Sequence, residues 1–393
     1  MKTNSEVKLL LDLGLQPISN RYLQDPADEE ELFPLKLGQC QQTGLIQLID
    51  PVPYEELVPR FDWISYNEPE DHLDELVEKV TTILPNNREI AIGGVSYKDD
   101  STLERFEQLG YETWRISPQR DLGLDKKGGV ESVQGKIDIG NVVKIKNGYG
   151  KAELLIVRHI WEHVYDQDVF AEALKYLVTE NGYLLFEVPD CSNLINNLDY
   201  TMIWEEHLYY YTPFTFKQSL RRHGFEICDM EVIPTPYENS LVAFVRMQTS
   251  KHVENGTEKS ELKEALQRGE SYAKEYIPKS KMMLNILSKE NRKRKIMLFG
   301  AGHISSAFIN HFSLKDVIEC TIDDNVNKQG LFMPKSGVPI VHSRTLYKSN
   351  LTLCLLAINP VHEEKIISKH REFLQQGGEF GSICPLSSYS VYK

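Results

Sequence analysis

The residues IWEEHLYYYT, Ile203 to Thr212, combine two carboxylates, an imidazole and three tyrosines in ten positions. An imidazole titrates near neutral pH, so a histidine held beside carboxylates can act as a general base, for example on a proton next to a ketone. The same run is compatible with an exposed helix or loop whose tyrosines pack beneath solvated charges. The residues alone leave both interpretations open.

A second candidate is VRHIWEHV, in which His159 and His163 are four positions apart. On a helix this spacing would place two metal ligands on one face. No third ligand is evident, and a strand-to-helix transition here would break the alignment. We therefore predict that no metal is bound.

Two glycine-containing turns are candidates for ligand loops. In IGGVSYKDDSTL, Gly93 and Gly94 follow an apolar strand, which allows either a close approach of backbone to a ligand or simply a tight turn. In FGAGHISS, Gly300 and Gly302 lead into a helix, and the third glycine of the dinucleotide fingerprint is missing. An NAD site and a Rossmann-like domain with another role both remain open.

Alternating strands and helices position these groups. From residue 71 onward the apolar periodicity switches repeatedly between short strands and amphipathic helices, which predicts a doubly wound α/β sheet with ligands at the carboxyl ends of its strands. The first 70 residues predict a small β-containing unit, residues 251–290 a charged connecting helix, and residues 291–393 a second, Rossmann-like βαβ domain.

Composition excludes several classes of function. A net charge of -13 and a pI near 5.4 argue against a nucleic-acid or acidic-membrane partner. The N-terminus lacks the apolar core of a signal peptide, no apolar run is long enough to span a membrane, and the six cysteines form no CxxC pair. We expect a cytoplasmic monomer or homodimer.

Three blocks in this order resemble the sugar C-methyltransferases: LDLGLQPISNRYL with PLKLGQCQQTGLIQLIDPVP, then GYLLFEVPD with IWEEHLYYYTPFTFKQSLRRHGFEI, then FGAGHISSAFIN with DDNVNKQGLFMP. The resemblance implies an N-terminal lid module (1–70), a class I methyltransferase-like domain (71–250), the connector (251–290) and a nucleotide-sugar domain (291–393). It implies methyl transfer from S-adenosylmethionine to a carbon of a nucleotide-linked 4-keto-6-deoxy sugar.

The resemblance also implies residue roles. His207 would remove the proton beside the ketone, with Glu206 and Trp204 lining the sugar and Tyr66 a candidate in the lid. The residues expected to contact the methyl donor are Gly93, Gly94, Asp100, Ser117, Arg158 and His159. Those expected to contact the substrate are Tyr209, Asn239, Gly300, Gly302, Lys328 and Gln329.

Departures from the family pattern leave the reaction open. Family members carry two CxxC pairs for zinc, whereas this chain keeps only Cys40 with Thr43 at the second pair, so we expect no zinc. The donor loop is about two residues longer than the family's, and Ser117 replaces the acidic residue that grips the donor's ribose. Alternatives are therefore proton transfer on a nucleotide sugar (isomerisation, epimerisation or elimination), binding of the sugar alone, or a scaffold role.

Overall fold

The computed structural model describes residues 7–61, 63–64, 70–85, 89–124, 129–235, 237–249, 256–348 and 351–392. The strands are β1 (Val7–Gln16), β2 (Phe33–Cys40), β3 (Ile46–Ile49), β4 (Ala91–Gly94), β5 (Glu112–Arg115), β6 (Ala152–Arg158), β7 (Val178–Asp190), β8 (Tyr209–Tyr210), β9 (Phe225–Ile233), β10 (Asn239–Met247), β11 (Lys295–Phe299), β12 (Cys320–Ile322), β13 (Ile340–Val341), β14 (Thr352–Leu356) and β15 (Glu379–Ser382). The α-helices are α1 (Leu73–Ile83), α2 (Asp100–Gln108), α3 (Pro118–Leu122), α4 (Val130–Gln134), α5 (Ile139–Tyr149), α6 (Gln167–Leu177), α7 (Ser192–Asn196), α8 (Pro213–Arg222), α9 (Gly256–Asn291), α10 (His303–His311), α11 (Glu363–Lys369) and α12 (Arg371–Gln375). None of the helices in these ranges has the length and apolarity needed to cross a bilayer.

The central sheet carries the doubly wound fold that the sequence predicts. Its order is β5-β4-β6-β7-β10-β9, with parallel pairing from β5 to β7 and an antiparallel β9–β10 hairpin at the end. Strand β6, AELLIVR, is almost entirely buried, as expected for an inner parallel strand covered by helices on both faces. A mostly parallel sheet closed by a reversed hairpin is the predicted class I methyltransferase-like architecture.

The N-terminal sheet includes a strand from the middle of the chain. Its order is β1-β2-β3-β8, and β8 pairs with β3 through Ile46 opposite Tyr210 and Gln47 opposite Tyr209. The polar run at residues 203–212 is therefore a buried turn followed by a strand. The exposed-helix interpretation of this run is wrong.

The C-terminal sheet is fully parallel, in the order β13-β12-β11-β14-β15, which agrees with the Rossmann-like prediction for residues 291–393. The 36-residue helix α9 connects it to the central sheet. One apolar cluster joins the N-terminal sheet, the polar run, α9 and the C-terminal sheet, and includes Leu37, Ile203, Tyr272 and Ile296. The polar run thus lies where all three sheets meet. The division at residues 70, 250 and 290 stays a prediction.

Candidate active site

The two glutamates of the polar run are held by the turn that follows β1. Ser19 donates from its backbone N–H to Glu205 Oε1 at 2.5 Å and from its hydroxyl to Oε2 at 3.0 Å. Asn20 donates from its amide nitrogen to Glu206 Oε1 at 3.2 Å. Both glutamates are buried, whereas His207 beside them is only partly buried. The imidazole is thus the member of this group that faces accessible space.

A second imidazole lies against His207. The rings of His163 and His207 are perpendicular, with centroids 4.9 Å apart. His163 belongs to a short 3-10 helix, Trp161–His163, that follows β6. Its Nδ1–H donates to the backbone carbonyl of Glu206 at 2.7 Å and lies 3.3 Å from Glu131 Oε1. Two histidines and several carboxyl groups therefore converge from three segments of the chain.

The carboxyl groups of this cluster are shifted towards their neutral forms. Burial, with smaller contributions from the charges of Glu162 and Glu205, raises the pKa of Glu131 to about 7. Burial likewise raises the pKa of Glu205 to about 6. The pKa of Glu206 is raised well above its ordinary value by burial and by repulsion from Glu131 and Glu205. Near neutral pH the cluster therefore contains protonated carboxyl groups that can donate hydrogen bonds.

Trp204 is fixed by contacts from both sides. Its indole stacks on the His303 imidazole at the start of α10, with centroids 4.1 Å apart and planes 21° apart. Its backbone N–H donates to the Tyr210 hydroxyl at 3.2 Å. Tyr209, predicted to contact substrate, stacks on Tyr211 and packs against the core of the central sheet. Its neighbour Tyr210 points the other way, because successive residues of a strand face opposite sides. Tyr210 is the tyrosine beside the motif.

Arg158, at the end of β6, is the centre of a second buried network. Its Nε donates to Glu187 Oε2 at 2.5 Å and its Nη1 to the Lys98 carbonyl at 2.8 Å. The other oxygen of Glu187 lies 3.0 Å from His72 Nε2 and 3.5 Å from His159 Nε2. His159 has a φ of 48° and is buried, so it faces this network and does not form a helical pair with His163.

The loop after β4 is closed by its own aspartate. Asp99 accepts hydrogen bonds from the backbone N–H groups of Val95 at 2.7 Å and Ser96 at 2.8 Å through Oδ2, and from the N–H of Arg158 at 2.8 Å through Oδ1. It is fully buried, whereas Asp100, predicted at the acidic position, is exposed and pairs with Arg115 at 2.5 Å. The inward-facing acid of this loop is Asp99.

The other predicted donor residues have structural partners. A Cβ on Gly93 would lie 2.5 Å from the Trp114 ring, and one on Gly94 would lie 2.7 Å from Leu103, so both glycines are required by packing. Ser117 caps α3 by accepting from the Arg120 N–H, and its own N–H donates to Asp121 at 2.7 Å. Gly93 and Gly94 are therefore buried, whereas Ser117 is partly exposed and caps a helix.

A groove of about 1340 Å³ runs past the carboxyl ends of β5 and β6 towards the C-terminal sheet. It is lined among others by Lys98, Asp100, Arg115, Arg158 and His362. Nη2 of Arg158 is buried and has no hydrogen-bond partner among the described residues. The guanidinium has no exposed surface, so an anionic group such as an amino-acid carboxylate reaches this unpaired donor only after a side-chain shift, and Asp100 supplies an acceptor in the same groove. Arg158 and Asp100 are thus the predicted donor residues that line it.

The glycine turn of the C-terminal sheet is filled by side chains of this chain. Lys328 Nζ donates to the Ala301 carbonyl at 2.7 Å and to Asp323 Oδ2 at 3.0 Å, and Asp323 also accepts the Ala301 N–H. Gln329 donates to the Asp323 carbonyl at 3.2 Å. Lys328 and Gln329 therefore stabilise the turn itself, at the position where a dinucleotide would bind.

The remaining predicted substrate residues differ in their surroundings. Gly300 has a φ of 102° and packs against Ala357 and Ile358, so it is required by the backbone. Gly302 has open space where a Cβ would lie, which permits a ligand to approach. Asn239 accepts from the Thr235 N–H at 3.2 Å in the β9–β10 connection. Tyr66 lies outside the described residues.

Sequence reasoning misses the residues that come from distant segments. Glu131 lies in a segment without a recognisable motif, and the sequence suggests a role for His163 only through the helical metal spacing. Ser19 and Asn20 lie within the LQPISN segment that carries the family resemblance, but nothing in the sequence shows that they bond to residues 186 positions away. A search for polar residues at the ends of β1, β6 and the polar run together would find them.

Comparisons with known proteins cover most of the chain. Residues 242–386 match a C-methyltransferase C-terminal domain, residues 100–229 a methyltransferase domain, and residues 3–57 a putative zinc binding domain. The chain is 23% identical over 399 aligned positions to C-methyltransferase NovU of Streptomyces niveus, covering 96% of this chain and 92% of that protein. Residues 3–57 hold one cysteine, Cys40, so a four-cysteine zinc site cannot be built from them.

Solved structures give weaker likenesses. An S-adenosylmethionine-dependent methyltransferase from Anabaena variabilis covers 50% of this chain and 92% of its own, with 10% identity and a TM-score of 0.32. Magnesium protoporphyrin IX methyltransferase from Synechocystis, with bound S-adenosylmethionine, covers 45% and 79%, with 15% identity and a TM-score of 0.28. At these TM-scores the fold assignment depends on the sheet order described above.

Proposed function

We propose that this chain methylates a carbon next to the ketone of a nucleotide-linked deoxysugar. The premise is that it is a divergent member of the C-methyltransferase family and a methyltransferase that uses S-adenosylmethionine. The observation that carries the proposal is the partly exposed imidazole of His207 above a buried group of carboxyls. A proton next to a carbonyl is acidic enough for an imidazole when the enolate oxygen is stabilised.

His207 is the base in this reaction, and Glu206 is its acidic partner. The raised pKa of Glu206 keeps its carboxyl protonated near neutral pH, so it can donate a hydrogen bond to the developing enolate oxygen. Asn20 holds this carboxyl through its other oxygen. Trp204, fixed by its stack on His303, forms a wall against which a sugar ring can lie.

Arg158 and Asp100 are the residues that would hold the methyl donor. S-adenosylmethionine supplies an electrophilic methyl group when it is bound. The unpaired Nη2 of Arg158 has the charge that suits the donor's carboxylate once a side-chain shift exposes it, and Asp100 can accept hydrogen bonds from hydroxyl groups in the same groove. Lys98 lines this groove, and its positive charge also acts on Glu131 and Glu206, so it links the groove to the base cluster.

Proton transfer without methylation is the second candidate, favoured by the closed loop after β4. The N–H groups of Val95 and Ser96 bond to Asp99 and are not open to a donor. The base and the protonated carboxyl would serve isomerisation or epimerisation of a keto sugar equally well.

Two measurements test these proposals. Calorimetry with S-adenosylmethionine, in the presence of a nucleoside-diphosphate 4-keto-6-deoxyhexose, should detect binding that Arg158→Gln weakens; absence of binding to the wild-type chain would contradict methyl transfer. Deuterium exchange next to the ketone should fall about 10²-fold or more in His207→Gln. The control His342→Gln changes an exposed imidazole and should keep the wild-type rate. Exchange that His207→Gln leaves unchanged removes His207 from the role of base.

A further inference from the structure

Three metal-ligating side chains converge in the base cluster. One ligand atom each from Glu162, His163 and His207 lies within 4.8 Å of the other two. Glu162 Oε1 and His163 Nε2 are 3.9 Å apart. A single ion binds imidazole and carboxylate atoms at about 2.0–2.2 Å, which places its ligand atoms roughly 3–4 Å from one another. Small side-chain rotations therefore suffice to bring all three onto one ion.

The carboxylate of Glu162 provides a second, independent observation. Its side chain is 1% exposed, and Oε2 has no hydrogen-bond partner among the described residues. Oε1 lies 3.6 Å from His159 Nδ1 and 3.9 Å from His163 Nε2. A buried carboxylate oxygen without a donor is costly, and a bound cation removes that cost.

His163 has the tautomer that metal binding requires. A backbone carbonyl can only accept a hydrogen bond, so the contact with the Glu206 carbonyl at 2.7 Å places the proton on Nδ1. Nε2 then carries the lone pair that faces Glu162. Metal-bound histidines commonly donate their other N–H to a carbonyl or carboxylate, and Glu131 Oε1 lies 3.3 Å from the same Nδ1.

The types of the three ligands also favour a transition-metal ion. Two imidazoles with one carboxylate form a ligand set that suits Zn²⁺, Co²⁺ or Fe²⁺ and leaves at least one coordination position open.

We propose that Glu162, His163 and His207 bind one divalent transition-metal ion, and that this ion competes with the substrate's proton for the imidazole of His207. The metal site stands on the geometry above, and only the competition rests on the proposed role of His207 as base. The ion inhibits proton removal because it occupies the lone pair that the base needs. This site is distinct from the zinc module at residues 3–57, which retains a single cysteine.

Titration of the metal-free full chain with Zn²⁺ and Co²⁺ tests the site without substrate. We expect one equivalent to bind, with visible Co²⁺ absorption, and about a 10-fold or greater loss of affinity in Glu162→Gln and in His207→Gln. The half-buried His207 makes the second variant the safer one if Glu162→Gln does not fold. Cys40→Ser is the control and should bind as the wild type does. Equal affinity in both site variants, or loss of binding in Cys40→Ser, overturns the site.

Deuterium exchange next to the ketone separates the two proposals. Zn²⁺ at saturating concentration should suppress exchange by wild-type protein, and a chelator should restore it. Metal binding that is lost in His207→Gln while exchange persists leaves the metal site standing and removes the base. Exchange that stays constant while Zn²⁺ binds overturns the competition.

Discussion

Replacement of Arg158 by methionine should cost about 3–5 kcal/mol of folding stability, because it breaks a buried ion pair and leaves one charge without its partner. Both side chains of the Arg158–Glu187 pair are 0% exposed, and their closest atoms are 2.5 Å apart. Urea unfolding followed by tryptophan fluorescence measures the loss. Arg246→Met is the matched control, since its pair with Glu226 is about half exposed, is screened by solvent and should contribute far less to stability.

The folding stability lost in Arg158→Met should depend on pH. Burial acts to raise the pKa of Glu187, but hydrogen bonds from His159 and His72 and the charge of Arg158 outweigh it and hold the pKa well below its ordinary value. The stabilisation is therefore present above the unfolded-state pKa and declines as the pH falls below it. The difference between wild type and Arg158→Met should be largest near neutral pH and shrink below about pH 4.

A double variant separates lost pairing from lost packing. Glu187→Gln combined with Arg158→Met removes both charges, so it should cost less than the sum of the two single variants. Two results would refute the view that Arg158 and Glu187 form a coupled buried pair. One is that the losses in free energy of unfolding of the single variants are strictly additive in the double variant. The other is that Arg158→Met loses no more stability than Arg246→Met.

Two further predictions concern packing at the site. Gly93→Ala places a Cβ 2.5 Å from the Trp114 ring and should lower the free energy of unfolding, measured in urea, by about 1–3 kcal/mol. The control is Gly148→Ala, at an exposed position of α5 where a Cβ has nothing within 4 Å. It should raise the free energy of unfolding by up to about 1 kcal/mol. Equal effects of the two would contradict the packing role of Gly93. His303→Ala removes the stack on Trp204, worth about 1 kcal/mol, and should raise KM for the sugar about fivefold while leaving donor affinity unchanged. A selective loss of donor affinity would place Trp204 elsewhere in the reaction.

The sheets and most helices follow from local patterns in the sequence. Strand β6 contains the apolar run LLIV, and α6 has apolar residues at helical spacing, so the amino-acid sequence alone predicts both elements. The pairing of β8 with β3 is not evident, because a two-residue strand is too short to identify from its pattern and its partner lies more than 160 positions earlier.

The site is less completely predictable than the fold. His207, Glu206 and Trp204 can be identified because they are neighbours in sequence, and the structure places them together. Asp99 and Asp100 are adjacent acids in the donor loop with different surroundings, and only the tertiary contact with the Arg158 N–H distinguishes the buried one. His163 and Glu131 join the cluster through packing between distant segments, which a single sequence does not reveal.

The fourth strand of the N-terminal sheet restricts how ligands enter and leave. β8 closely follows His207 and is paired with β3 of the N-terminal module. A hinge movement of this module would therefore break the β3–β8 pairing or displace the segment that carries the base. The same movement would break the hydrogen bonds from Ser19 to Glu205 and from Asn20 to Glu206. We therefore expect turnover to proceed with this module docked.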